Sequence, residues 1–211
     1  MPFFEPPPAP PDQPPPRPPR PRWLGPPNGV IAEVAPVSAV LVCSESMIIV
    51  ADRFVCYPSG FEFHLTVRTR QPPSGPWMMP GRQMGRGGAG QGSPDDALNF
   101  GIAFAGRKAT NVSRVPSGLG SFAVGTARSS ATAIGPGNAP PEPEAPVLTA
   151  HGGSGSDSRW DQSCWVWGLP PEGPMGVVVR WTAQGIEETR VDIDAAAILK
   201  AAGRAQVVWD D

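Results

Sequence analysis

From Phe61 to Arg70 the chain alternates between two kinds of side chain: Phe61, Phe63, Leu65, Val67 and Thr69 against Glu62, His64, Thr66, Arg68 and Arg70. A period of two is the repeat of an extended strand, whose successive Cβ atoms point to opposite faces; a helix cannot gather such a set on one side. The segment predicts a half-buried antiparallel strand with its apolar face on a core. Pro58-Ser59-Gly60 joins it to the run MIIVADRFVCY (47–57), a turn between two strands.

The rest of the chain conforms to that strand. GVIAEV (29–34) and SAVLVC (38–43) are short β-branched runs separated by Pro36, and Ser44-Glu45-Ser46 divides the second from 47–57. LNFGIAFAGRKATNV (98–112) predicts a hairpin turning near Ala105-Gly106-Arg107. VLTAH (147–151) predicts a strand followed by a Gly/Ser turn. Ser163–Trp167, MGVVVRWT and IEETRVDI (186–193) predict a tandem of antiparallel strands, with Trp165 and Trp167 on one face of theirs and Val177, Val179 and Trp181 sharing a face of the next. Beyond Asp194, a candidate N-cap, the period becomes helical: Ile198, Leu199, Ala202 and Ala205 align on one side and predict one helix of ~11–13 residues, with Trp209 as an anchor. The fold class expected is mainly β, an antiparallel sandwich or flattened barrel carrying one C-terminal helix.

Composition sets the limits of that domain. Of 30 prolines, 14 fall within the first 28 residues, and a tract without amide donors and with fixed φ cannot make helix or sheet. Residues 1–22 are expected to be a disordered Pro-rich arm and 23–211 a single β-rich domain with flexible loops at 71–96 and 126–146. A formal charge of −2 provides no global field for nucleic acid or anionic lipid. The opening MPFFEPPPAPPDQPPP is not a secretory signal and no apolar run is long enough for a membrane span, so the expected location is the cytoplasm. Cys43, Cys56 and Cys164 have neither disulfide nor zinc-ligand spacing and are expected to pack, reduced, as small apolar side chains. No metal and no cofactor is expected.

The combination of WLGPPNGVIAEVAPVSAVLV, YPSGFEFHLTVRTR, LNFGIAFAGRKATN, HGGSGSDSRWDQSCWVWGLPPEGPMGVVVRW and GIEETRVDIDAAAILKAAGRAQVVW resembles an uncharacterised family of actinobacterial cytoplasmic proteins. The resemblance covers most of residues 23–209 and supports the extent of the domain. It implies no activity and no catalytic residue.

Candidate sites are few. His64 and His151 are the only imidazoles; His64 lies on the polar face of its strand, where an exposed structural role suffices. His151 precedes Gly152, Gly153, Ser154, Gly155, Ser156 and Asp157, where backbone amides could cradle an anion and Asp157 could orient the imidazole, or where the glycines simply make a β-turn. Trp160, Trp165, Trp167 and Trp181 are the materials either of an aromatic ligand platform or of a sandwich core. Gly85-Arg86-Gly87-Gly88 with Arg82 has too little charge density to bind RNA, Glu187, Glu188, Asp192 and Asp194 fit a solvated edge, and the Asn111-Val112-Ser113 sequon means nothing without secretion. In the arm, Pro15, Pro18 and Arg20 fit Pro-x-x-Pro-x-Arg, an extended ligand for an aromatic groove beside an acidic patch, against the plain reading of a solubilising tail. With no triad, metal set or phosphate loop legible, no catalytic residue is assigned. The leading expectation is a non-enzymatic interaction or structural module with a protein partner; the alternative is a small-ligand (for example carbohydrate) binder or hydrolase using His151–Asp157 and the tryptophans.

Overall fold

The computed structural model describes residues 21–71, 97–111, 142–143 and 146–209. Residues 1–20 of the Pro-rich arm, with Pro15, Pro18 and Arg20, the Arg-Gly-Gly stretch and nearly all of the two expected loops lie outside the described residues; of the arm only Pro21 and Arg22 are described, and Arg22 opens a 3-10 turn with Trp23 and Leu24.

The alternating segment becomes a central strand. β4 (Met47–Tyr57) and β5 (Gly60–Thr69) form a hairpin, and β5 pairs on its other side with β9 (Arg159–Trp167), which pairs with β8 (Val147–Gly155); all these pairings are antiparallel. The outer side of β4 is shared by β2 (Glu33–Ala35), against residues 54–56, and β3 (Ala39–Cys43), against residues 48–51. Pro36 stands between those two short strands, where a residue without an N–H interrupts the ladder. These six strands make the large sheet. The hairpin requires Gly60: a Cβ there would lie 2.2 Å from the Val166 carbonyl oxygen, a backbone atom that cannot move aside.

A small sheet of four strands runs in the order β11 (Ile186–Asp194), β10 (Pro174–Trp181), β6 (Asn99–Phe104), β7 (Arg107–Thr110). The predicted 98–112 hairpin is its β6–β7 pair, turning at Ala105 (φ 48°) and Gly106 (φ 72°), the left-handed pair that the twist of a two-residue hairpin demands. Asn111 closes the end of the hairpin, its Oδ1 accepting from Phe100 N at 2.9 Å and its Nδ2 donating to Leu98 O at 3.0 Å.

The two sheets face each other across one core. From the large sheet come Phe54, Phe61, Phe63, Leu65 and Val67, with the Phe54 and Phe63 rings stacked at 5.7 Å; from the small sheet come Phe100, Ile102, Val177, Val179 and Trp181. Each such side chain removed from water contributes about 1.5–3 kcal/mol, so this interface is the main source of stability. The protein is an antiparallel sandwich whose strands do not close into a barrel. β9 and β10 belong to different sheets, so the expected tandem from Ser163 to Ile193 is corrected: only β10 and β11 pair.

The C-terminal helix is present but shorter than expected. α1 (Ala196–Ala202) packs Ile198, Ala201 and Ala202 into the core, against β2 and β4. Asp194 caps it as expected, its Oδ1 accepting from Ala196 N at 2.9 Å. The Ala-rich pattern ran on to Gln206, but Gln206–Val207 forms β12, paired antiparallel with β1 (Val30–Ile31); strand pairing fixed elsewhere in the fold overrides a weak helix preference. Trp209 is not a buried anchor: it is 62% exposed, although it lies against Gly29. No helix among the described residues is long and apolar enough to cross a membrane.

Of the cysteines, Cys56 and Cys164 are buried on the core side as expected, while Cys43, at the end of β3, is exposed; all three are free. Burial pushes the Cys56 thiol up to about 11 and the Cys164 thiol higher still.

Candidate functional site

The large sheet has a second face, and its geometry follows from register. On β5 the residues turned away from the core are Glu62, His64, Thr66 and Arg68; their partners on β9 are Trp165, Ser163, Asp161 and Arg159. On β4 the corresponding partners are Val55, Asp52, Val50 and Ile48.

β4 carries one extra residue between Asp52 and Val55 relative to β5, a β-bulge, and Arg53 within it has φ 52°. A side chain other than Gly in that region is strained. The bulge places the Arg53 guanidinium over the face, with Nε donating to Asp52 (2.9 Å) and Nη2 donating to Asp161 (2.9 Å) and to the Thr66 hydroxyl (3.1 Å). Asp161 is the hub. It accepts from Arg159 Nε (2.6 Å) and Nη2 (3.1 Å), from the Thr66 hydroxyl (2.8 Å) and from Arg53, with only 18% of its side chain exposed. The forked bond from Arg159 first, with those from Thr66 and Arg53, holds its carboxyl well below the usual carboxylate range. His64 sits nearby, and burial together with the Arg53 guanidinium lowers its pKa.

Asp52, His64 and Ser163 are register neighbours on three adjacent strands, a row that superficially suggests a triad. No hydrogen bond joins His64 to either neighbour, and Asp52 is bound to Arg53 instead. β5 and β9 each have a strand on both sides, so the amides beside the row are committed to the sheet ladder and cannot form an oxyanion hole.

The other end of this face is covered by the start of the described chain. A 3-10 turn, Arg22–Leu24, packs Trp23 and Leu24 with Val147 and Trp167. Trp165 is buried beneath it, donating its indole N–H to the Trp23 carbonyl at 3.1 Å and meeting the Tyr57 ring edge-on at 5.5 Å. Tyr57 donates to Glu62 at 3.3 Å; burial, then the Glu62 charge, raises the phenol to about 12, and burial raises Glu62.

The residues singled out by sequence are not brought together. Trp165 and Trp167 point away from the core, Trp160 points into it, and Trp181 lies in the other sheet, so the four tryptophans make no platform. Nor do the glycines make a turn. His151, Gly153 and Gly155 lie in β8, which continues past the expected turn through a bulge between Ala150 and Gly153, and the turn comes at Ser156–Ser158 with Asp157 exposed. The glycines serve packing: a Cβ on Gly153 would stand 3.0 Å from Gln162 Oε1, and one on Gly155 would stand 2.6 Å from the Arg159 carbonyl oxygen. The buried Gln162 amide donates to the His151 carbonyl, bridging the bulge. Sequence reasoning missed Arg53, Asp161 and Arg159. Arg159 and Asp161 share a face by simple alternation in Arg-Trp-Asp, but nothing local signals the left-handed Arg53 or its bond to a carboxylate 108 residues away.

Among the described residues no group of three or more His, Cys, Asp or Glu side chains could hold a metal ion. No protein-family model, curated protein or solved structure matches the chain.

Proposed function

We propose that the protein is a non-enzymatic interaction module that engages a protein partner on the outer face of the large sheet, at the β2–β3–β4 side. The observation that carries this reading is the exposure of Val34 (59%), Val40 (54%) and Ile48 (40%) on that side. The water-facing side of an antiparallel sheet is ordinarily polar, and exposed β-branched side chains gathered along one side of it mark a surface that is covered in use. The Asp161 network on the same face suits a rigid rim better than a reaction centre, because its carboxylate accepts four hydrogen bonds and is not poised to take a proton near neutrality.

The test is affinity capture with the full chain, comparing the parent with Val40→Lys and with Lys108→Glu, the latter on β7 of the other sheet. A stoichiometric partner retained by Lys108→Glu and lost from Val40→Lys, with both variants folded, supports the reading. A partner that ignores Val40→Lys, or turnover of ester or glycoside substrates by the purified chain, overturns it.

A further inference from the structure

The outer face is not merely apolar. Arg68 and Arg159 are direct register partners on β5 and β9, and like charges placed opposite each other on one face of a sheet are unfavourable. Arg159 is drawn aside by its forked bond to Asp161, a carboxylate that also receives Thr66 and Arg53, and Arg68 is left out of that network. Arg68 has no ion pair among the described residues and is exposed. Within the cluster, Arg53, Arg68 and Arg159 stand against Asp52 and Asp161, a local excess of one positive charge on a chain whose formal charge is −2. The backbone strain at Arg53 belongs to the same arrangement, and strain retained at a surface cluster is a pointer to use.

The neighbours of these arginines define what fits. Ile48 is the register partner of Arg68, Val50 is that of Thr66, and Val40 pairs with Val50. One or two strand spacings from the guanidiniums, at about 4.8 Å each, the face is therefore aliphatic. A free phosphate would use the arginines and leave the valines exposed. A nucleic acid would want stacking rings, and Trp165 is buried under Trp23.

We infer that this surface binds an extended acidic segment of a partner protein, its carboxylates on Arg68 and Arg159 and its aliphatic side chains on Val40 and Ile48. The inference rests on the interaction face proposed above and specifies the chemistry of its partner. Planar guanidiniums match carboxylates in two-point contacts, and an extended segment whose acids and aliphatic residues both recur at even spacing presents both from the one face it lays on the sheet.

The experiment uses the full chain and a fluorescein-labelled Glu–Val peptide repeating Glu-Glu-Val-Val, which carries both residue types on each face when extended, followed by anisotropy, with the corresponding Lys–Val peptide, a single-stranded oligonucleotide and inorganic phosphate as competitors. The Glu–Val peptide should bind and weaken as salt rises, and Arg68→Gln should reduce affinity about tenfold. Lys108→Gln should leave it unchanged. Arg68→Gln should also melt no lower than the parent, since it removes an opposed like charge. Equal peptide affinity in Arg68→Gln overturns the inference, as does a loss of stability in that variant, which would make Arg68 structural. Displacement of the peptide by the oligonucleotide or by phosphate, but not by excess unlabelled Glu–Val peptide, also overturns it. If the peptide fails while capture of a partner still depends on Val40, the acidic character is wrong and the interaction face stands. If capture ignores Val40 as well, both fail.

Discussion

Replacing Trp165 by Ala tests the least expected part of the architecture, a buried tryptophan on the outer side of the large sheet. The ring is fully buried, donates to the Trp23 carbonyl and meets Tyr57 edge-on. Truncating a buried ring of this size costs about 3–5 kcal/mol. Losing the indole hydrogen bond, about 1 kcal/mol, and the edge-to-face contact, about 0.5–1.5 kcal/mol, places the change toward the upper part of that range. A domain of this kind has about 5–15 kcal/mol in all, so the variant should be folded but visibly weakened in denaturant titrations. Trp181→Ala should cost about as much, by opening a cavity between the sheets. The two differ in what they release. Only Trp165→Ala should free the turn whose Leu24 N–H donates to Pro21 O at 3.0 Å, so amide exchange at Leu24 should lose protection there and keep it in Trp181→Ala. Combining Trp165→Ala with Tyr57→Ala should give a coupling of about 0.5–1.5 kcal/mol, as expected of two rings in edge-to-face contact. A loss below about 1 kcal/mol for Trp165→Ala, or a Leu24 amide that stays protected, would refute the reasoning.

Ala105→Asn should raise stability by about 0.5–1 kcal/mol in thermal denaturation, because Ala105 occupies the left-handed position that Asn tolerates and Asn-Gly is the preferred pair for this turn. Asp161 has its pKa depressed in the folded state, so its contribution is present above about pH 4 and is lost as the pH falls below the unfolded value; Asp161→Asn should cost about 1–3 kcal/mol near neutral pH and flatten the acid limb of the stability profile. Native labelling with a thiol reagent followed by mass spectrometry should modify Cys43, with Cys56 and Cys164 reacting only after unfolding, as their burial and raised pKa values require.

Much of the fold was legible in local pattern. The alternation from Phe61 to Arg70 identified a strand with one core face because side-chain direction along an extended chain depends on parity alone. The Ala105-Gly106 turn and the Asp194 cap were legible because turns and caps are satisfied by residues next to them in sequence. The candidate site was not legible, because its bonds are long in sequence. Alternation correctly assigned Trp165 and Cys164 to opposite faces of β9, yet what Trp165 meets on the outer face was decided by the turn that brings the Trp23 carbonyl, 142 residues away, onto its indole N–H.

The same distinction separates the glycines and the C-terminus. His151 to Gly155 has the composition of a turn, but its edge is paired to β9 and its missing side chains make room for Gln162 and the Arg159 backbone, so the ladder overrides the turn preference. Gln206 and Val207 end an Ala-rich helical pattern, but β1 offers a partner strand and takes them. Arg53 carries the largest such decision: a strained backbone is tolerated because the bulge delivers a guanidinium to Asp161 and Thr66, partners that no neighbouring residue announces. Periodicity, turn chemistry and capping act over a few residues, so sequence alone determined most of the strands, which residues of each share a face, and the helix start, but not that the Trp165 face of β9 lies outside the core. Which uncommitted faces are covered, which charges meet and which residues bear strain are settled by contacts between distant segments, and these exist only once the sheets have assembled.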